Sequence, residues 1–195
     1  RLAEHIVLAD ICDRDELYRV LQRVKPQTIF NLSAFGAYER QIDAQRIHRV
    51  NYLGALNLLS LLEEFGCHAF VHAGSSSEYG LNCSGPDEDS PLLPNSHYAV
   101  SKGSASLLIK FYGRLRNFPC ANLRLYSIYG PWEDRNRLIP NLVRMGIDGK
   151  FPQLVDREIS RDFVYADDCL RAFVRAAQTL CREHRGESVN ICTGV

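Results

Sequence analysis

The chain has 195 residues, 46% of them hydrophobic, and its 23 lysines and arginines balance 23 aspartates and glutamates. That length suits one domain with a substantial buried core and excludes a disordered or fibrous chain. The charge balance gives no overall pull toward nucleic acid or anionic membrane, so a charged ligand must be held by a local site.

Taken in chain order, short apolar runs alternate with longer stretches of helical period. A strand is predicted over Ile6 to Ala9, a helix from about Asp13 to Val24 and a strand over Thr28 to Leu32. A long helix follows from about Asp43 to Phe65, with Val50, Leu53, Leu58 and Leu61 near helical spacing, and then a strand over Ala69 to Ala73. Residues 81–95 are polar and contain Pro86, Pro91 and Pro94, which predicts a loop. Asn95-Ser96 are plausible capping residues for a third helix that runs to about Arg116. A strand over Ala121 to Tyr126, helices over Leu138 to Met145 and Asp167 to Cys181, and a strand over Ser188 to Cys192 complete the order. The strands are apolar along their length, as strands covered on both faces are, so the pattern predicts an α/β fold with a parallel sheet. Cys12, Cys67, Cys83, Cys120, Cys169, Cys181 and Cys192 are scattered without a CxxC pair or a Cys/His cluster. They read as reduced core thiols, with no metal site. No run approaches the roughly 18 apolar residues of a membrane span, and Arg1 to His5 lack a signal peptide's apolar segment, which makes the cytoplasm the default compartment.

Two segments carry side chains suited to chemistry. Tyr98-Ala99-Val100-Ser101-Lys102 sets a phenol and an ammonium four residues apart, on one face of a helix. A cation within about 4–6 Å of a tyrosine favours the phenolate, so Lys102 is expected to lower the Tyr98 pKa. Gly74-Ser75-Ser76-Ser77-Glu78-Tyr79-Gly80 follows the strand at Ala69 to Ala73, where a sheet delivers side chains to a ligand crevice. Either segment alone is weak evidence, since a polar turn and a chance spacing account for it. A hydroxyl at a strand end, a loop, and then Tyr-x-x-x-Lys on the next helix together form a set able to take a proton from an alcohol as hydride leaves its carbon.

These residues, with five further segments in the same order, resemble the extended short-chain dehydrogenase/reductases of the NAD-dependent nucleotide-sugar epimerase/dehydratase group. Asp10-Ile11-Cys12-Asp13 resembles the acidic turn after the third strand, where the family's aspartate meets the adenine, and Phe30-Asn31-Leu32-Ser33-Ala34 the segment beside the cofactor, with Asn31 replacing the usual His. Asn51 to Leu59 resembles the Asn-x-x-Gly-Thr-x-Asn helix, and Arg124 to Pro131 the strand under the nicotinamide, with Ser127 where many members have Asn. Arg161 to Asp168 resembles the segment whose arginine contacts the substrate diphosphate, a role suited to a planar guanidinium.

The resemblance implies a Rossmann-like doubly wound parallel sheet over residues 1–195, lacking its first βαβ portion and most of the C-terminal substrate-binding part. It implies Ser75, Tyr98 and Lys102 as catalytic residues. The cofactor, NAD or NADP, is expected against Asp10, Ile11, Leu32, Ser33, Ala34, Asn51, Tyr98, Lys102 and Leu125. A nucleotide-diphosphate sugar is expected against Ser76, Ser127, Arg137, Leu138 and Arg161, although Arg137 is equally readable as a solvated helix-start residue. No nucleic acid or membrane partner is implied. Homodimerisation through the long second and third helices is, and Leu53, Leu58, Leu107, Leu108 and Phe111 are compatible with it and equally with ordinary core.

Family dehydratases carry acidic residues just after the catalytic hydroxyl. Here Ser76 and Ser77 occupy those places and Glu78 comes one place late, which ranks 4-epimerisation or 4-ketoreduction above 4,6-dehydration and decarboxylation. A glycine-rich phosphate turn does not precede the first strand. The expectation is therefore a fragment of a longer enzyme, with a truncated non-catalytic sugar-nucleotide or partner-binding protein as the alternative.

Overall fold

The computed structural model describes residues 5–152, 154, 159–180 and 184–194. In chain order the elements are α1 (Arg14–Val24), β1 (Thr28–Asn31), α2 (Ala44–His48), a widened π-type turn (Arg49–Leu53), α3 (Gly54–Phe65), β2 (Ala69–Ser75), a 3-10 turn (Ser76–Tyr79), α4 (His97–Leu115), β3 (Cys120–Leu125), β4 (Ser127–Tyr129), α5 (Leu138–Ile147), β5 (Phe163–Tyr165), α6 (Ala166–Leu180) and β6 (Glu187–Ile191). Four strands form a parallel sheet in the order β1-β2-β3-β6, and β4 pairs with β5 in a small second sheet.

Helix starts follow local chemistry. Asp13, Asp43 and Ser96 cap α1, α2 and α4 by accepting the backbone N–H three residues on, at 2.9, 3.0 and 3.1 Å. α1 ends at Lys25, whose left-handed φ of 48° precedes Pro26. The helices cover both faces of the sheet. Leu17 and Leu21 of α1, Leu58, Leu59, Leu61 and Leu62 of α3, and Ile109 and Tyr112 of α4 pack with Phe70 and Cys120 on one face. Cys169, Phe173, Ala177 and Leu180, one stripe of α6 at helical spacing, pack with Ala69, Val71, Ala73, Ala121 and Leu123 on the other. The odd and even residues of β2 thus serve two cores, and all seven of its residues are buried.

Several boundaries differ from the sequence reading. Ile6 to Ala9 forms no ladder and is exposed, Leu8 at 87%. The resemblance makes this segment the third strand and β1 the fourth, which are not neighbours in the doubly wound order 3-2-1-4-5-6, so it has no partner among the described residues. The long second helix is divided by the widened turn, β2 runs on to Ser75, and the run to Tyr126 splits into β3 and β4. Leu32 lies beyond β1, and Cys181 falls outside the described residues. In the set expected at a dimer face, Leu58 belongs to the core and Leu108 is partly buried against it, while Leu53, Leu107 and Phe111 are exposed. No described helix is long and apolar enough to cross a membrane.

One row of the sheet departs from apolar packing. Asn31, His72, Asn122 and Ser188 stand side by side on β1, β2, β3 and β6. Asn31 Nδ2 donates to His72 Nδ1 at 3.0 Å, and Asn122 Nδ2 reaches Ser106 of α4 and Ser188 at 3.1 and 3.4 Å. Burial and the nearby Lys102 ammonium push the His72 pKa well down, so the ring is neutral. The row lies just below the strand ends at which the candidate site is built.

Candidate active site

Ser75 is the last residue of β2, with its side chain at the C-terminal end of the sheet, and is 9% exposed. It caps the following 3-10 turn: its Oγ accepts the Ser77 N–H at 3.1 Å, and its own N–H donates to Glu78 Oε1 at 3.0 Å. Tyr98 is the second residue of α4, and Lys102 follows one turn later. The structure brings the three together. Burial, the largest influence, raises the Tyr98 pKa; a hydrogen-bonding interaction with Ser75 pulls it down, the Glu78 carboxylate pushes it up and the Arg137 guanidinium pulls it down. The expected lowering by Lys102 is not found: Lys102 is not among the groups that shift the phenol, and burial outweighs those that favour the phenolate.

Lys102 is 1% exposed, and burial lowers its pKa from 10.5 to about 8 against the opposing pull of Glu78. Its Nζ donates to the Ala73 carbonyl at 2.8 Å and stands 6.0 Å from the centre of the Tyr98 ring. An ammonium has three N–H donors. Lys102 meets one protein acceptor among the described residues, which leaves donors for a ligand and fits the ribose-binding role the resemblance implies.

Asp10 presents an exposed carboxylate at the start of α1, held below its usual pKa chiefly by the Cys12 N–H at 2.9 Å and by Arg49 and Arg46. Ile11 packs against Gly54 and its carbonyl accepts from Asn57 at 3.1 Å, so its side chain serves the core. Leu32 and Ala34 are exposed beyond β1, and half-buried Ser33 donates to Asn31 Oδ1 at 2.7 Å. Leu125 is half-buried at the end of β3.

Asn51 differs from its expected cofactor contact. It is 1% exposed; its Oδ1 accepts the Phe35 N–H, and its Nδ2 donates to the Phe35 carbonyl and Ser101 Oγ, at 2.8, 2.8 and 2.9 Å. Both amide donors are consumed in holding the loop after β1 against α4.

Ser76 sits half-buried beside Ser75. Ser127 donates its N–H to the Asp162 carbonyl at 3.0 Å, which joins it to the Arg161 segment. The Asp162 carboxylate in turn accepts the N–H groups of Thr193 and Gly194 at 2.9 to 3.0 Å. Arg161 is exposed and shares no hydrogen bond or ion pair with Ser75, Tyr98 or Lys102. Arg137 stands at the N-cap position of α5 without a side-chain cap bond, pairs with Glu133 at 2.9 Å and contributes to the field at Tyr98; Leu138 beside it is 42% exposed.

Sequence reasoning missed a buried polar network behind Ser75. Glu78 is 0% exposed; its Oε2 accepts Arg124 Nε at 2.8 Å, and Asn122 Nδ2 reaches both carboxylate oxygens at 3.3 and 3.4 Å. Arg124 also donates to the Tyr79 hydroxyl and the Glu88 carbonyl at 2.8 and 2.9 Å. Tyr79 donates to Asn190 Oδ1 at 2.8 Å, and the Asn190 N–H to the Glu88 carboxylate at 2.8 Å. A signal was present: His72, Asn122 and Arg124 interrupt apolar strands, and polar residues in strands covered on both faces need buried partners.

A parallel sheet wound on both faces is the layout of the doubly wound α/β class, and Ser75 at a strand end with Tyr98 and Lys102 on the next helix stand where that class places its ligand crevice. The model of the NAD dependent epimerase/dehydratase family matches residues 1–192, and the chain belongs to that family. It is 31% identical over 196 residues to a UDP-glucose 4-epimerase of Mycolicibacterium smegmatis, covering 97% of this chain and 61% of that protein. It is also similar to a double mutant of the dTDP-glucose 4,6-dehydratase DesIV of Streptomyces venezuelae, solved with NAD, with a TM-score of 0.80, 30% identity and coverage of 96% of this chain and 57% of that one. A third similar structure is RMD of Pseudomonas aeruginosa with NADPH, with a TM-score of 0.81, 26% identity and coverage of 97% and 68%. The chain spans about half the length of the curated relatives it matches.

Proposed function

We propose that this chain carries the acid/base centre of an NAD(P)-dependent enzyme that exchanges hydroxyl and ketone at C4 of a nucleotide-linked sugar, as a 4-epimerase or a 4-ketoreductase. The observation that carries the reading is the convergence of Ser75, Tyr98 and Lys102 at the C-terminal end of β2. The three relatives act on or carry nucleotide sugars or nicotinamide cofactors by name, and all three share most of this chain's length.

In this reading Tyr98 moves the proton of the C4 oxygen, Ser75 hydrogen-bonds that oxygen, and Lys102 holds the cofactor's ribose with the donors left free by Ala73. Bound NAD or NADP supplies hydride transfer to and from C4. Asp10, Leu32, Ser33, Ala34 and Leu125 would line the cofactor, and Arg161 would take the substrate's diphosphate. Without ligand the raised Tyr98 pKa keeps the phenol protonated at neutral pH. That is the form needed to donate to a ketone oxygen; abstraction from a hydroxyl would be favoured by added positive charge beside the phenol, which a bound oxidised nicotinamide would supply.

Dehydration ranks lower because Ser76 and Ser77 offer no carboxylate beside Ser75, and Glu78 is turned inward onto Arg124. The test is to supply full-length protein with UDP- and dTDP-linked hexoses and their 4-keto forms, with NAD or NADPH, and to analyse products by mass spectrometry. An epimerase converts substrate with catalytic cofactor, and a reductase consumes one reduced cofactor per product. Loss of water from the hexose would replace this reading with the dehydratase one, and no product with any sugar would favour a binding protein.

A further inference from the structure

We propose that Glu78 is a positioning residue for Ser75, held in place by Arg124, and that through Arg124 the segment around Glu88 is mechanically tied to the catalytic turn. The inference rests on the functional reading above.

The argument begins with the connection to Ser75. Glu78 Oε1 accepts the Ser75 N–H at 3.0 Å, so the carboxylate fixes the peptide from which the Ser75 side chain projects. Its other oxygen is fixed by Arg124 Nε at 2.8 Å, with the two side chains 5% and 0% exposed. The pair is fully desolvated, and Asn122 supplies further donors to it. A buried ion pair of this kind seldom stabilises a fold more than apolar residues of similar volume, so stability alone gives little reason for charge here. Orientation gives one, because a planar guanidinium with several bonds holds a carboxylate in a single pose.

The far side of Arg124 extends the tie. Its NH1 donates to the Glu88 carbonyl at 2.9 Å and the Tyr79 hydroxyl at 2.8 Å. Tyr79 continues to Asn190 Oδ1, whose residue returns an N–H to the Glu88 carboxylate and Nδ2 to the Pro86 carbonyl. Residues 86–88 are thereby clipped to β6 and, through one arginine, to the peptide of Ser75. Gly74 leaves the room this requires: a Cβ there would stand 2.6 Å from Glu78 Oε1 and collide with Asn122.

Two variants test the role. Glu78→Gln keeps an amide oxygen for the Ser75 N–H but leaves the buried Arg124 guanidinium without its anion, so it should melt below wild type while its folded fraction loses less than about tenfold in kcat. Glu78→Leu with Arg124→Met removes both charges together, so no buried charge is stranded and the enzyme should fold. It should nonetheless lose about 10- to 100-fold in kcat, with KM for the nucleotide sugar within about twofold. Wild-type turnover by that double variant, once shown to be folded by near-ultraviolet circular dichroism, would overturn the proposal.

A second readout needs no turnover. In the folded double variant the Ser75 N–H has lost its Glu78 acceptor, so its amide hydrogen exchange should quicken at least tenfold over wild type, followed by 15N NMR of the cofactor-free protein. Exchange as slow as in wild type would also overturn the proposal. If wild-type enzyme turns over no nucleotide sugar, the functional reading fails by itself and the exchange rate decides this one.

Discussion

Replacing Lys102 by methionine should stabilise the protein while removing its activity. The ammonium is 1% exposed, and its pKa falls from 10.5 to about 8 because burial disfavours the charged form. At 1.36 kcal/mol for each pH unit, that drop corresponds to about 3 kcal/mol of destabilisation carried by the charged side chain. Below about pH 8 both folded and unfolded states hold the proton and the whole cost is present. Between about 8 and 10.5 the unfolded chain binds more protons than the folded one, so stability rises with pH, and above 10.5 the cost is gone. Methionine keeps the stem's packing and loses the bond to the Ala73 carbonyl, worth about 1 kcal/mol. The net gain at pH 7 is about 2 kcal/mol, or a Tm higher by roughly 4–8 °C for a chain of this size. Thermal melts of both proteins at pH 7, 9 and 10.5 provide the assay, and the gain should shrink with pH and then reverse. A variant that melts at or below wild type at pH 7, or a gain that does not change with pH, would refute the reasoning.

Three further outcomes follow from the same packing. Arg124→Met alone strands the Glu78 carboxylate and should cost about 3–5 kcal/mol in denaturant unfolding, whereas adding Glu78→Leu should recover most of it. Gly113→Ala should destabilise strongly although it lies within a helix, because its Cβ would fall on the Gly186 backbone. Gly146→Ala, in α5 with nothing within 4 Å, should instead stabilise by about 0.4–1 kcal/mol in the same measurement.

The parts of the molecule that obey a local rule were legible in the sequence. Ser96 announces its helix by capping chemistry, and the all-apolar run at Ala69 to Ala73 announces a central strand. The order of Ser75, Tyr98 and Lys102 could be read because a strand end and the next helix start are neighbours in this topology. Less legible was whatever depends on partners distant in sequence. Ile6 to Ala9 has the composition of a strand, yet a strand exists only if another offers a ladder. Asn51 fits the family's motif, but its amide is consumed by Phe35 and Ser101, residues 16 and 50 positions away. Glu78 looked like a proton shuttle out of register, and only Arg124, 46 positions away, explains where it points. The Tyr98 pKa was misjudged because spacing reveals the nearby cation and says nothing about burial.

The central claim is that Tyr98 moves the proton at C4. Turnover of the full-length protein and its Tyr98→Phe variant on the best nucleotide sugar, measured by mass spectrometry at equal folded concentration, tests it most directly. A general acid/base contributes about 100- to 10,000-fold, so the variant should lose that much in kcat while still binding the sugar nucleotide. Full turnover by Tyr98→Phe would contradict the account.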